Sequence, residues 1–224
     1  MELFNYDSNQ KNVNSFAVNN DRLYSKKIAA VGDSYVEGNG LPDSQVWLSL
    51  IATRNKMSKT NLGDNGRSLQ EMVQAEAWKN IPNDTDYIVI WDGHNDSNYK
   101  LTTLGTFGDT TSATFYGCLD ILCKGLMNRY PRARILFITP SKRSVVGNNV
   151  NAYQYVDAMK EVCAKYDLVC WDSFREMEIL INNMEGVDER SVFEQQVNGQ
   201  YKVHLNALGQ EYVSYKIEEQ LRML

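Results

Sequence analysis

The chain has 224 residues, 43% of them hydrophobic and 23% charged, with a formal net charge of −5 and a sequence pI near 5.2. This is the balance of an ordinary globular protein with room for one large domain or two small ones, and its acidity argues against a phosphate-binding surface and so against nucleic acid as a partner. No apolar run approaches the roughly 20 residues that a membrane span needs.

Residues 1–25 are polar and rich in asparagine; they read as an irregular N-terminal segment ahead of a single domain over 26–224. No basic patch followed by an apolar core opens the chain, so no signal peptide is visible. "KIAAV" (27–31) is a short apolar strand, and "SQVWLSLIATRNK" (44–56) sets Val46, Trp47, Leu50 and Ile51 on one helical face. "KTNL" (59–62), less apolar, reads as a second strand. "SLQEMVQAEAW" (68–78) opens with Ser68 and Glu71 at capping-box spacing, which starts a helix. "DYIVIW" (86–91) is a fully apolar, β-branched strand.

"TSATFYGCLDILCKGLMNRY" (111–130) carries Phe115, Cys118, Leu119, Leu122 and Leu126 at helical spacing until Pro131 stops it. "ARILFIT" (133–139), "NAYQYVDAMKEVCAKY" (151–166) and "LVCW" (168–171) continue the pattern as strand, helix and strand, and "NALGQEYVSYKIEEQLRML" (206–224) ends the chain as a helix. Five short strands alternating with amphipathic helices imply an α/β domain with a five-stranded parallel sheet covered on both faces.

Cys118, Cys123, Cys163 and Cys170 form no C-x-x-C pair, and only two histidines are present. No Cys/His zinc signature results, and neither a metal nor a cofactor is expected. Free thiols point to a cytoplasmic, reducing compartment; a leader removed on export would leave a secreted or periplasmic protein with the same sequence. Gly38 and Gly40 make a G-x-G without the third glycine of a dinucleotide loop.

In open parallel sheets ligands sit beyond the carboxyl ends of the strands, so the residues just after each strand should converge. These are Gly32-Asp33-Ser34; then Asn61, Gly63 and Gly66 in "NLGDNGRS"; then Gly93 and Asn95 in "DGHND"; and Asp172. His204 precedes the last helix. The set suits acyl transfer. A serine hydroxyl needs a base within hydrogen-bond reach, and a tetrahedral intermediate needs N–H donors aimed at its oxyanion, which glycine backbone and an asparagine amide can supply.

"GDSY" at 32–35, Gly66 in "NLGDNG", "GHND" at 93–96 and the late His204 resemble, in order and spacing, the four blocks of the SGNH hydrolases, also called GDSL-type esterases and lipases. The likeness runs from Lys27 to the C-terminus. It implies a three-layer, flavodoxin-like α/β/α domain. It also implies Ser34 as nucleophile, His204 as base, and an oxyanion hole built from the N–H groups of Ser34 and Gly66 and the side-chain amide of Asn95. Tyr35 stands where the family name has leucine. The family's Asp-x-x-His block here reads "YKVH", with Tyr201 in place of the aspartate. A backbone carbonyl could orient His204 instead, or a carboxylate from elsewhere: Asp172, Asp188 or Glu194. His94 is expected at the rim of the site, near substrate, and Asp33 and Asp96 are expected to hold loops together.

The resulting expectation is a serine esterase acting on a small acyl ester, such as an acetyl, of a carbohydrate or other polar molecule. Alternatives are an acyl thioesterase or lysophospholipase, and a binding module that keeps the fold without turnover. Nothing in the sequence sets an oligomeric state.

Overall fold

The structure is a computed structural model that describes residues 21–143, 151–177, 194–197 and 200–224. Most of the expected N-terminal segment, residues 1–20, lies outside the described residues. Strands β1 (Lys27–Gly32), β2 (Ser58–Gly63), β3 (Tyr87–Trp91), β4 (Arg134–Ile138) and β5 (Val169–Trp171) form one parallel sheet in the order β2-β1-β3-β4-β5. The helices are α1 (Ser34–Glu37), α2 (Trp47–Arg54), α3 (Leu69–Gln74), α4 (Phe115–Arg129), α5 (Ala152–Lys165), α6 (Ser173–Glu176) and α7 (Ala207–Met223).

Side-chain alternation along the strands divides the core in two. Ile28 and Ala30 of β1 and Tyr87, Val89 and Trp91 of β3 pack with Trp47, Leu48 and Ile51 of α2 and Val213, Ile217 and Leu221 of α7. Ala29 and Val31, with Ile88 and Ile90, face the other way, onto Leu69 and Met72 of α3, Phe115, Leu119 and Leu122 of α4 and Met159 of α5. A central strand buried on both faces must be apolar at every position, which is why β3 reads as an unbroken apolar run. Helices on both faces make the three-layer α/β/α arrangement expected from the sequence.

The chain reverses its direction of travel across the sheet between β1 and β3, so this strand order places a crevice at their carboxyl ends. Ser34 follows the first of these strands and Asn95 the second. Gly32 is a steric requirement there: a Cβ on it would lie 1.9 Å from the Trp91 carbonyl oxygen. Gly63 at the end of β2 is similar, with a Cβ placed 2.1 Å from the Glu37 nitrogen.

One expectation needs correction, and one element was not anticipated. The helix expected over 68–78 has the anticipated Ser68–Glu71 capping box, but it ends at Gln74. Glu76 takes a left-handed conformation (φ 52°), and a 3₁₀ turn follows over Ala77–Asn80. The second difference is larger. His204, just ahead of the last helix as expected, lies on an unanticipated strand, β7 (Gln200–Leu205), which pairs antiparallel with β6 (Glu194–Val197) in a two-stranded sheet of its own. Among the described residues, no helix is long and apolar enough to cross a membrane.

The Gly32 contact makes a direct prediction. Gly32→Ala forces backbone against backbone between β1 and β3, which overpacking data put at about 1–3 kcal/mol or more. The urea midpoint of Gly32→Ala should fall with an unchanged slope; an unaltered midpoint would contradict the close approach.

Candidate active site

α1 begins directly after β1, and Asp33 is its N-cap. The Asp33 Oδ1 accepts the Tyr35 N–H at 3.0 Å, and its carbonyl accepts from Val36 and Glu37. Gly38, at φ 96°, ends the helix one turn later. Ser34 is therefore the first residue of a rigid single turn, and only 6% of its surface is exposed. Helix-start N–H groups have no intrahelical acceptor. Among the described residues neither the Ser34 nor the Gly66 N–H donates to a backbone acceptor.

The structure brings His204 to Ser34: Nε2 lies 3.0 Å from Oγ. Burial pushes the His204 imidazole below its ordinary value; the Asp33 charge opposes this in part, and Arg143 and His94 reinforce it. At neutral pH the ring is uncharged and able to accept a proton.

Asn95 and Gly66 are held by three linked contacts. The Asn95 Nδ2 donates to the Arg67 carbonyl at 2.8 Å, which leaves the second N–H of that amide for another acceptor. The Arg67 guanidinium donates to the carbonyls of Gly32 and Leu62 at 2.9 and 3.0 Å, tying the turn that carries Gly66 to the ends of β1 and β2. The Asp96 carboxylate accepts from the N–H groups of Leu69 and Gln70 and from the Thr102 hydroxyl, so the loop after β3 is pinned to the start of α3. Burial lifts Asp96 to about 6 against these bonds. Gly66 itself is left-handed (φ 79°), and a Cβ on it would meet nothing within 4 Å.

His94 is not a rim residue. It is 1% exposed, with Nδ1 2.8 Å from Asp33 Oδ2 and Nε2 accepting the Ser141 N–H at 2.9 Å. An Nε2 that accepts carries no proton, so the proton is on Nδ1 and the ring is neutral. Burial, which pushes His94 below the ordinary histidine value, agrees. Burial also opposes the Asp33 charge, but the His94 ring, the Tyr35 N–H and the Arg143 charge outweigh it and hold the carboxyl below its usual range. Asp92, buried beside Asp33 and Asp96, is pushed well above the usual range by burial and by those two charges.

Of the carboxylates considered for orienting His204, Asp172 is committed elsewhere. It caps α6 through the Arg175 N–H and binds Lys160 and Arg175, with ion-pair distances of 2.7 Å to each. Asp188 and the side chains of Glu194 and Tyr201 lie outside the described residues. Sequence reasoning passed over Arg67 and Tyr35, whose roles come from contacts distant in sequence. It also passed over the hairpin, although Asn198-Gly199 between β6 and β7 is a strong hairpin dipeptide.

A hydroxyl and a neutral imidazole at bonding distance, beyond the carboxyl ends of a parallel sheet covered on both faces, define the class of α/β/α serine ester hydrolases. The chain belongs to the GDSL-like lipase/acylhydrolase family, whose model matches residues 30–212. Solved structures of the same fold include a protein from Lactobacillus plantarum (23% identity, covering 88% of this chain and 97% of that one, TM-score 0.74). Others are a possible lipase from Chitinophaga pinensis (16% identity, 88% and 98%, 0.69) and the lipase/acylhydrolase from Enterococcus faecalis (20% identity, 88% and 95%, 0.64). At these identities the likeness is one of fold alone. No curated protein matches the sequence.

The chain has two histidines, so both can be followed by NMR. Both should titrate below the ordinary value of 6.5. Folded values below the unfolded value mean that the unfolded chain binds protons first as pH falls. Their contribution to stability is therefore complete above 6.5 and is lost as pH drops through the folded values. A midpoint above 6.5 for either ring would contradict its burial.

Proposed function

We propose that Ser34 is the nucleophile and His204 the general base, with the N–H groups of Ser34 and Gly66 and the Asn95 amide as the oxyanion hole, in an enzyme that hydrolyses small acyl esters, such as acetyl esters, of a carbohydrate or other polar alcohol. The observation that carries the chemistry is the 3.0 Å contact between His204 Nε2 and Ser34 Oγ.

In this reading His204 Nε2 takes the Ser34 hydroxyl proton as Oγ bonds to the ester carbonyl carbon. The carbonyl oxygen becomes an oxyanion and accepts the N–H donors. The intermediate collapses by breaking its bond to the leaving alcohol, which departs with the proton from His204. Water then attacks the acyl-enzyme and gives its proton to His204. The second collapse returns that proton to Ser34 Oγ and releases the carboxylic acid.

The small acyl group is supported by the deep setting of Ser34, which is buried and followed directly by Tyr35, whose ring packs against Trp91 and His94. One observation favours the second reading, a longer acyl chain as in a thioesterase or lysophospholipase. Tyr99 and Leu101 are 75% and 67% exposed, and backbone bonds from Lys100 to Asn95 and from Thr102 to Asp96 tie their segment to the Asn95 loop. They would offer apolar surface to a chain leaving the site.

A p-nitrophenyl ester series from C2 to C12 tests both. Greatest kcat/KM at C2–C4 is expected, with loss of at least about 10³-fold in Ser34→Ala and His204→Ala. A mid- or long-chain optimum favours the second reading. Folded protein inert toward every ester and toward acetylated sugars would leave a binding module. In an active enzyme Asn95→Ala should lower kcat by about 10²–10³ with little change in KM; unchanged kcat would remove Asn95 from the hole.

A further inference from the structure

His204 comes from a two-stranded sheet that shares no ladder with the five-stranded sheet carrying Ser34. Hydrogen-bond contact across such a gap needs ties between the two bodies. Two side chains supply them, one on each side of His204. The Tyr35 hydroxyl donates to the Val203 carbonyl. The Gln195 amide donates to the Leu205 carbonyl and to the Asn39 carbonyl in the loop after α1, both at 3.1 Å. Gln195 sits where the β6–β7 register slips, between the paired Glu194 and Gln196. Such a bulge leaves an unpaired residue free for another task and re-aims its neighbours.

Tyr35 is itself immobilised. It is 3% exposed, its ring stacks on His94 at 3.9 Å and 3°, its N–H is held by Asp33, and its carbonyl accepts from Trp47 Nε1 at 3.0 Å. It also follows Ser34 directly. One rigid residue therefore fixes the nucleophile through the backbone and reaches the strand of the histidine through its hydroxyl. A leucine at this position could fill the space but could not reach a carbonyl.

We propose that Tyr35 and Gln195 are positioning residues for the base: by holding the carbonyls of Val203 and Leu205 they keep His204 at bonding distance from Ser34. The inference rests on the catalytic reading of that pair given above. A displacement of about 1 Å at a reacting group is enough to cost about 10²-fold in rate.

The test uses Tyr35→Phe, which keeps the stacked ring, and Gln195→Ala, which leaves the core untouched. Two rates are normalised to folded protein: hydrolysis of a short-chain p-nitrophenyl ester and labelling of Ser34 by a fluorophosphonate. For Tyr35→Phe both should fall about tenfold or more with KM within about twofold. Gln195→Ala should lose about three- to fivefold in kcat, the worth of one neutral hydrogen bond. In both variants the acidic limb of kcat/KM should move up toward the ordinary histidine value, because a loosened imidazole is better hydrated. Asp33, Arg143 and His94, the charged and titratable groups that act on His204, remain in place, so a merely structural role would not move that limb. Normalised rates within twofold of wild type, or losses without a shift of the limb, overturn the inference. If Tyr35→Phe does not fold, Gln195→Ala decides by the same criteria. His204→Ala separates the two levels. If it keeps wild-type rates, the catalytic reading fails; if it is inactive while both other variants are normal, only the positioning claim fails.

Discussion

A buried carboxylate at the end of the first strand is the fixed point of this molecule. Asp33 is fully buried, and its two oxygens are assigned in different directions: one to the Tyr35 N–H that starts α1, the other to His94 on the loop after β3. A buried charge is tolerated only when it is paired and hydrogen-bonded, so these contacts are obligatory. They fix the turn that presents Ser34 relative to the loop that presents Asn95. His94 passes the constraint on to Ser141 after β4. Three strand ends are thereby locked to one another by a side chain that never meets solvent.

The same region concentrates negative charge. Asp33, Asp92 and Asp96 lie close enough to perturb one another, and they answer differently because their donors differ. Asp33 has a histidine, a backbone N–H and the nearby Arg143 charge, and falls below the usual range. Asp96 has two helix-start N–H groups and a threonine, and burial still lifts it to about 6. Asp92 accepts only the Gly93 N–H through Oδ1, and its Oδ2 has no partner among the described residues. Only Asp92 is pushed well above the usual range; Asp33, below it, and Asp96, at about 6, both stay mainly ionised at neutral pH.

The sheet was legible in the sequence because strands buried on both faces must be apolar where they are buried, and β3 is so throughout, as are β1 and β4 beyond their exposed first residues, Lys27 and Arg134. β2 was faint because it is an edge strand, half-exposed along most of its length. The rule that ligands gather beyond strand ends pointed to Ser34, Gly66 and Asn95 as candidates, since position along the chain is all that it needs. Side-chain direction was not legible. His94 turns inward because Asp33, 61 residues away, and Ser141, 47 residues away, are there to receive it. The β6–β7 hairpin went unread because "EQQV" shows no apolar alternation, although "QYKVHL" alternates polar and apolar residues and Asn198-Gly199 lies between the two.

The aromatic packing beneath the serine also has an optical consequence. All four tryptophans of the chain, Trp47, Trp78, Trp91 and Trp171, are at most 5% exposed. Trp91 stands 5.2 Å from the Tyr35 ring, 6.0 Å from Trp47 and 6.1 Å from His94, measured between ring centroids. The native emission spectrum is therefore that of indoles shielded from water, blue of the unfolded chain. Part of it originates within one aromatic layer of Ser34. Excitation absorbed at Trp47 can pass to Trp91 over so short a gap, and an imidazole is a quencher whose strength depends on its protonation. The protein thus contains an intrinsic fluorophore beside its own crevice, sensitive to charge and occupancy there without any attached dye.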